Sequence, residues 1–388
     1  MSELSIEAAL TPGLNTSEER PPSEEDFKVH KNLSAKTLQN ILDDNNIENH
    51  SLQALIVLCS EHSCPGLCWS SKVHQMKAEQ LITTIERTYK KKISELLTDN
   101  YCVLFKRILS DLQPKLEKFI KYPSSVASLT WLAGHVTRDH SSHVVPLILP
   151  HVMHLTDCWL PYYKVFGCDI IKSIVINSPP GDLVFYGRAD LISDTLLRML
   201  SHTETQVVSA CSDPLIAVTQ IKHDKTHVKV PGAADLLMKE LLTRIETCSE
   251  IDKKRVYSDM IEKTVTMLDV GVARWVSRLC HVITGQLEFS PPPSVMTTVI
   301  TLTQLCPECV AREMVTLLPG LVKFVYHVSW HQTPDTDMLT LANVCIDHVT
   351  RCDQDQARTL CHNLATVTPV NDTFDKCVQN ILLTVSSS

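Results

Sequence analysis

The stretch GRADLISDTLLRMLSH, residues 187–202, decides the fold. Ile192, Leu196, Met199 and Leu200 recur at steps that place them on one helical stripe, with Asp194 and Arg198 turned toward water. Residues 272–287 repeat the idea: Val276, Leu279, Ile283 and Leu287 share one side, and Arg274, Arg278 and Gln286 lie off it. Residues 164–177 are apolar nearly all round (Val165, Phe166, Ile170, Ile171, Ile174, Val175, Ile176), which suits a helix sandwiched between two layers. Amphipathic and fully apolar helices side by side are what stacked helical pairs require.

The punctuation between these segments agrees. Ser178-Pro179-Pro180-Gly181, Pro231-Gly232 and Ser290-Pro291-Pro292-Pro293 read as inter-helix loops, because proline removes a donor and restricts the residue before it. The spacing predicts roughly fifteen helices, drawn from segments near 34–44, 50–61, 74–98, 101–112, 114–121, 123–137, 142–156, 161–177, 187–202, 204–221, 232–248, 252–269, 271–288, 294–317, 319–331, 335–350, 354–366 and 371–385, several of them fused or broken. Strand-like alternation is nowhere sustained. The expectation is an all-α, HEAT/armadillo-like helical-repeat solenoid over residues 33–388, preceded by a disordered acidic tail over residues 1–32.

Composition narrows the function. Only 10 glycines occur in 388 residues, and no glycine-rich loop lets backbone approach a phosphate, so most nucleotide-dependent enzyme readings weaken. The net charge of −8 is concentrated at the start, where Glu3, Glu7, Glu18, Glu19, Glu24, Glu25 and Asp26 face only Arg20 and Lys28. The remainder is close to neutral and shows no extended basic stripe, so no nucleic-acid partner is expected. Lys90-Lys91-Lys92 reads as the solvated face of a helix. Ser23-Glu24-Glu25-Asp26 is an acidic context of the kind casein kinase two accepts, although a plain solubilising tail is the favoured account. The 15 cysteines are odd in number, and the N-terminus lacks the regions of a secretory signal. They read as reduced thiols in a cytoplasmic or nuclear protein, where the sequons at Asn15, Asn32 and Asn371 would carry no meaning. No apolar run reaches membrane-helix length.

Constellations that could carry chemistry are weak. Cys59, Cys64, Cys68 and His74 match no common zinc spacing and have no second paired-ligand knuckle. Cys306-Pro307-Glu308-Cys309 is a lone Cys-x-x-Cys amid helices, which reads as packing. Cys345, His348, Cys352, Cys361 and His362 read as small buried thiols with neighbouring imidazoles. His151 and His154 share a helix face without the glutamate a metalloprotease needs. No metal, cofactor or catalytic residue is therefore expected.

The segment Trp131-Leu132-Ala133-Gly134-His135-Val136-Thr137-Arg138-Asp139-His140, leading through Val145-Pro146-Leu147-Ile148-Leu149-Pro150 to Asp157, resembles the Tel-two-interacting protein family. The resemblance continues in Lys164-Val165-Phe166-Gly167, Ile174-Val175-Ile176-Asn177, Asp182-Leu183, Gly187-Arg188-Ala189, Arg274, Arg278-Leu279 and Ile283-Thr284-Gly285-Gln286-Leu287-Glu288, covering about residues 95–330. It implies a HEAT-like, non-enzymatic scaffold of the Triple T (TTT) cochaperone complex. Its partners would be a Tel-two-like protein and the first Tel-two-interacting protein. With the heat-shock chaperone machinery the complex would support maturation of phosphatidylinositol-kinase-like protein kinases (PIKKs), which serve DNA-damage signalling. A generic helical-repeat adaptor in transport or assembly is the alternative. Arg138, Asp139, His140, Arg188, Arg274 and Arg278 are the polar positions expected either to brace adjacent repeats or to meet a partner, with bracing favoured where an Arg stands beside an Asp.

Overall fold

The computed structural model describes residues 6–14, 20–44, 47–223, 231–330, 336–367 and 379, and no strand occurs among them. The chain divides into two units, Met1–Val218 and Thr219–Ser388. The first contains α1 (Lys28–Asp43), α2 (Leu52–Ser63), α3 (Lys72–Tyr89), α4 (Ile93–Leu116), α5 (Pro123–Gly134), α6 (Ser141–Asp157), α7 (Pro161–Asn177), α8 (Pro180–Phe185), α9 (Arg188–Met199) and most of α10 (Thr205–Lys222). The second contains α11 (Ala233–Thr247), α12 (Ile251–Leu268), α13 (Val276–Leu287), α14 (Pro293–Leu305), α15 (Pro307–Trp330), α16 (Thr336–Cys352) and α17 (Gln354–Val367).

Within the second unit each helix packs on the helix two along. α11, α13, α15 and α17 form one layer, and α12, α14 and α16 the other. In the first unit α2, α5 and α7 stack in one layer, while α4 packs on α6 in a second. The two stripes read from the sequence are the faces that these layers bury: Ile192, Leu196, Met199 and Leu200, and Val276, Leu279, Ile283 and Leu287, are all buried. A fully buried side chain of this size contributes about 1.5–3 kcal/mol, so the repeated stripes carry the stability of the array.

Helix ends follow local chemistry. Pro123, Pro161, Pro180 and Pro293 each open a helix in its first turn, where a missing N–H costs nothing. Gly187, at φ +66°, supplies the left-handed turn before α9. α4 is interrupted where Asn100, Tyr101 and Cys102 take φ of +48°, +59° and +61°, close to the boundary read at residue 101. The expected break at Pro319 is absent; it lies inside α15, and the chain breaks instead at Cys306, with Pro307 opening the new helix. Residues 269–275 begin the expected 271–288 helix as a 3₁₀ turn. The expected 371–385 helix lies outside the described residues except at Gln379.

The reading of residues 1–32 as disordered needs correction where the structure describes them. Ile6, Ala9, Thr11 and Leu14 are buried, a 3₁₀ turn spans Glu25–Phe27 and α1 begins at Lys28. Leu14 and Phe27 join Leu67, Trp69 and Ala127 in one cluster, with the Phe27 and Trp69 rings edge to face at 5.6 Å. The average composition of the segment is polar, but its few apolar side chains are spaced to fit a groove formed by distant helices.

Candidate functional site

The residues singled out in the second unit face one another. Asp235 sits in the first turn of α11, where its carboxylate accepts the Gly232 N–H at 2.9 Å, as a helix-capping carboxylate does. The same carboxylate accepts the Trp275 indole N–H at 2.9 Å and pairs with the Arg274 guanidinium at 3.4 Å. Arg274 also donates to the Gly271 carbonyl at 3.1 Å. One turn further, Arg278 forks across to Glu246 with two bonds of 2.7 Å and reaches the Thr243 hydroxyl at 3.1 Å. That guanidinium holds the Glu246 carboxyl below its usual value. Together these groups tie α11 to the 269–275 turn and α13, so Arg274 and Arg278 engage neighbouring helices within their own unit.

Asp235, Trp275 and Glu246 were missed in the sequence. Asp235 carried a signal, standing three residues after Gly232 at a helix start. Nothing in the sequence pointed from it to Trp275, 40 positions away.

In the first unit Arg138, Asp139 and His140 share one short turn, and Arg188 opens a separate helix. Arg138 and Asp139 are exposed on a 3₁₀ turn between α5 and α6, and His140 Nδ1 is bonded to the Thr137 hydroxyl at 2.9 Å. Arg188 lies at the start of α9 with its guanidinium 4.6 Å over the Tyr186 ring. Tyr186 packs edge to face on Phe185, which is 82% exposed, and Val184 and Leu191 are exposed nearby. A cation held over an exposed aromatic pair, beside solvent-facing aliphatic side chains, is the composition of a protein-contact patch.

The last turns of α2 carry a buried polar cluster. Glu61 is fully buried, accepting the Thr11 N–H at 2.7 Å and the Ser124 hydroxyl at 3.0 Å, and burial pushes its carboxyl up. The His62 ring stacks on His74 at 5.1 Å. Both ring nitrogens of His62 lack hydrogen-bond partners, and burial drives its imidazole down to about 3.

The cysteine clusters are engaged in packing. Cys59 is fully buried, and burial lifts the Cys64 and Cys68 thiols to about 11. His74 is committed to Ser71 and to the Lys31 carbonyl. Cys345 lies against Met296, and Cys352 against the His348 carbonyl. Among the described residues no three His, Cys, Asp or Glu side chains are placed to hold a metal ion, and no helix is long and apolar enough to cross a membrane. Ser23 caps Asp26 through its N–H and hydroxyl at 2.8 and 2.7 Å, and Arg20 grips the same carboxylate, so this acidic motif is an ordered turn.

No family model matches the chain. It is similar to TELO2-interacting protein 2 of Rattus norvegicus, with 25% identity over 295 residues, covering 71% of this chain and 58% of that protein. To TELO2-interacting protein 2 of Homo sapiens it is 26% identical over 271 residues, covering 65% and 53%. The resemblance to Tel-two-interacting proteins read from the residues is borne out, and the chain spans a little over half the length of these curated relatives. Among solved structures, Kap121p bound to RanGTP matches with a TM-score of 0.59 over 94% of this chain and 37% of that one, at 8% identity. Kap121p bound to the SUMO protease Ulp1p gives 0.56 over 95% and 39%, at 10% identity. At such identities the likeness is one of fold alone, and it bears out the all-α helical-repeat class.

Proposed function

We propose that the chain is a non-enzymatic scaffold subunit of a TTT-type cochaperone complex in the cytoplasm and nucleus. In this reading it holds a Tel-two-like protein and the first Tel-two-interacting protein. It thereby supports the maturation of PIKK-family kinases with the heat-shock chaperone machinery. The observation that carries the proposal is the similarity to TELO2-interacting protein 2 over 71% of the chain. The helical-repeat fold supports it, because such arrays bind through extended surfaces assembled from successive repeats.

The polar positions then divide by role. Arg274 and Arg278, engaged with Asp235 and Glu246, brace repeats. Arg138 and Asp139, exposed on their 3₁₀ turn, with the half-buried His140 beside them and Arg188 at the start of α9, are the positions offered to partners.

Affinity purification of the chain from cells in low salt tests the reading. Recovery of both a Tel-two-like protein and the first Tel-two-interacting protein is expected. Recovery of neither, or of transport factors alone, overturns it in favour of a generic helical-repeat adaptor. If the exposed aromatic patch is a contact, Phe185→Ala with Tyr186→Ala weakens partner recovery at least about tenfold while leaving the fold intact.

A further inference from the structure

Residues 6–14 lie in their groove as a bound peptide would. Ile6, Ala9 and Leu14 are buried, and the backbone is held at two points by groups far along the chain: Thr11 N–H to Glu61 at 2.7 Å and Leu14 N–H to the Lys121 carbonyl at 2.8 Å. Gly13 passes so close to Tyr122 that a Cβ there would sit 2.6 Å from the ring. Segments held by a few backbone bonds and apolar anchors open locally well before the whole unit unfolds.

Within the segment Thr11 stands at the centre of the contact. Its hydroxyl is buried beside the Glu61 carboxyl that its own N–H also meets. The residue that follows is Pro12, and a threonine before proline is the acceptor that proline-directed protein kinases recognise. We propose that Thr11 is such an acceptor, and that a phosphate on it ejects residues 6–14 from the groove.

The chemistry balances with ATP as donor. With the segment out, Thr11 Oγ1 attacks the γ-phosphorus; the new O–P bond forms as the bond to the β-phosphate oxygen breaks, ADP leaves, and the hydroxyl proton passes to the base of the kinase. Phosphothreonine carries about −1.5 to −2 charges. Returned to the groove it would stand beside the Glu61 carboxyl, with the Lys115 ammonium as the opposing charge. One cation does not balance a phosphate beside a buried carboxyl, and a buried net negative charge opposes return. The modified segment therefore stays out, and the groove along Glu61, Tyr122 and Ser124 is opened.

The test uses the full chain and a synthetic peptide of residues 1–22, incubated in parallel with a purified proline-directed kinase and magnesium-ATP. The site is assigned by fragmentation mass spectrometry, and hydrogen exchange is read over residues 6–14. Both substrates should gain phosphate on Thr11, the full chain about tenfold or more slowly because only its open form reacts, and Pro12→Ala should abolish both. The phosphorylated chain should exchange residues 6–14 at least about tenfold faster, whereas Thr11→Val should remain protected and unmodified. A peptide that accepts no phosphate at Thr11 overturns the acceptor assignment. A peptide that is modified while the chain never is, or a modified chain with unchanged exchange, overturns the ejection.

Discussion

In the second unit the buried carboxylate of Asp235 receives an indole N–H, a guanidinium and a backbone N–H, whereas in the first unit the buried carboxylate of Glu61 receives one backbone N–H and one hydroxyl. Beside Glu61, His62 keeps both ring nitrogens unpaired. The same helical architecture thus contains one polar centre in which a charge is matched and another in which polar groups are sealed in with few partners. A matched centre resists change, because removing any member strands the rest. The sparsely partnered centre has less to lose, and residues 6–14 lie against it through the Thr11 N–H.

Asp235→Ala gives the largest expected effect. It leaves the Trp275 indole N–H and the Arg274 guanidinium without their acceptor, and should cost about 3 kcal/mol, read from denaturant unfolding with hydrogen exchange assigning the loss to α11 and the 269–275 turn. A cost below about 1 kcal/mol would mean that the centre is no better matched than a surface ion pair, and the contrast would collapse.

Acidification separates the units next. The His62 imidazole is held near 3 when folded against 6.5 otherwise, so between those values the unfolded chain binds the extra proton. Stability is complete above pH 6.5 and falls as the pH drops, by about 1.4 kcal/mol per unit, or about 2 kcal/mol by pH 5. His30 and His74, also shifted down by burial, act in the same direction, while Glu61, shifted up, partly opposes them at lower pH. In the second unit Glu246 is shifted below 4.5, so its contribution is lost only as the pH falls below that value. Between pH 6.5 and 5 exchange should therefore quicken in the first unit alone, and His62→Leu should flatten the dependence. Equal quickening in both units would sink the distinction.

Two smaller effects sharpen the comparison. Arg278→Ala removes a forked but partly exposed pair and should cost about 0.5–1 kcal/mol, shrinking in high salt; a larger, salt-independent loss would point to packing instead. Glu61→Gln keeps an acceptor for Thr11 and should change stability by less than about 0.5 kcal/mol, measured by the same unfolding. A loss as large as that from Asp235→Ala would show the first centre to be just as tightly matched.

Much of the fold was legible because periodicity records which side of a helix faces inward. The stripes at 192, 196, 199 and 200 and at 276, 279, 283 and 287 are buried as read, and Pro123, Pro161 and Pro293 mark real helix starts. Pro319 misled, because a long helix packed on both neighbours absorbs a proline that would end an isolated one. The opening segment misled for a related reason: composition averages over residues, while Ile6, Ala9 and Leu14 act one at a time in pockets made elsewhere. Arg274 and Arg278 were visible as polar positions off an apolar face, yet their partners Asp235 and Glu246 lie 39 and 32 residues away, a separation that spacing rules do not cross.

The tryptophans give both centres a voice in one spectrum. Of the five in the chain, Trp275 donates its indole proton to Asp235, and Trp69 lies edge to face against Phe27 in the cluster that includes Leu14. Biosynthetic labelling with fluorotryptophan would yield resolved resonances in which the first of these senses the loss of a carboxylate and the second senses the departure of Leu14. Nuclear magnetic resonance could then follow each unit in the intact molecule, without altering a residue of either.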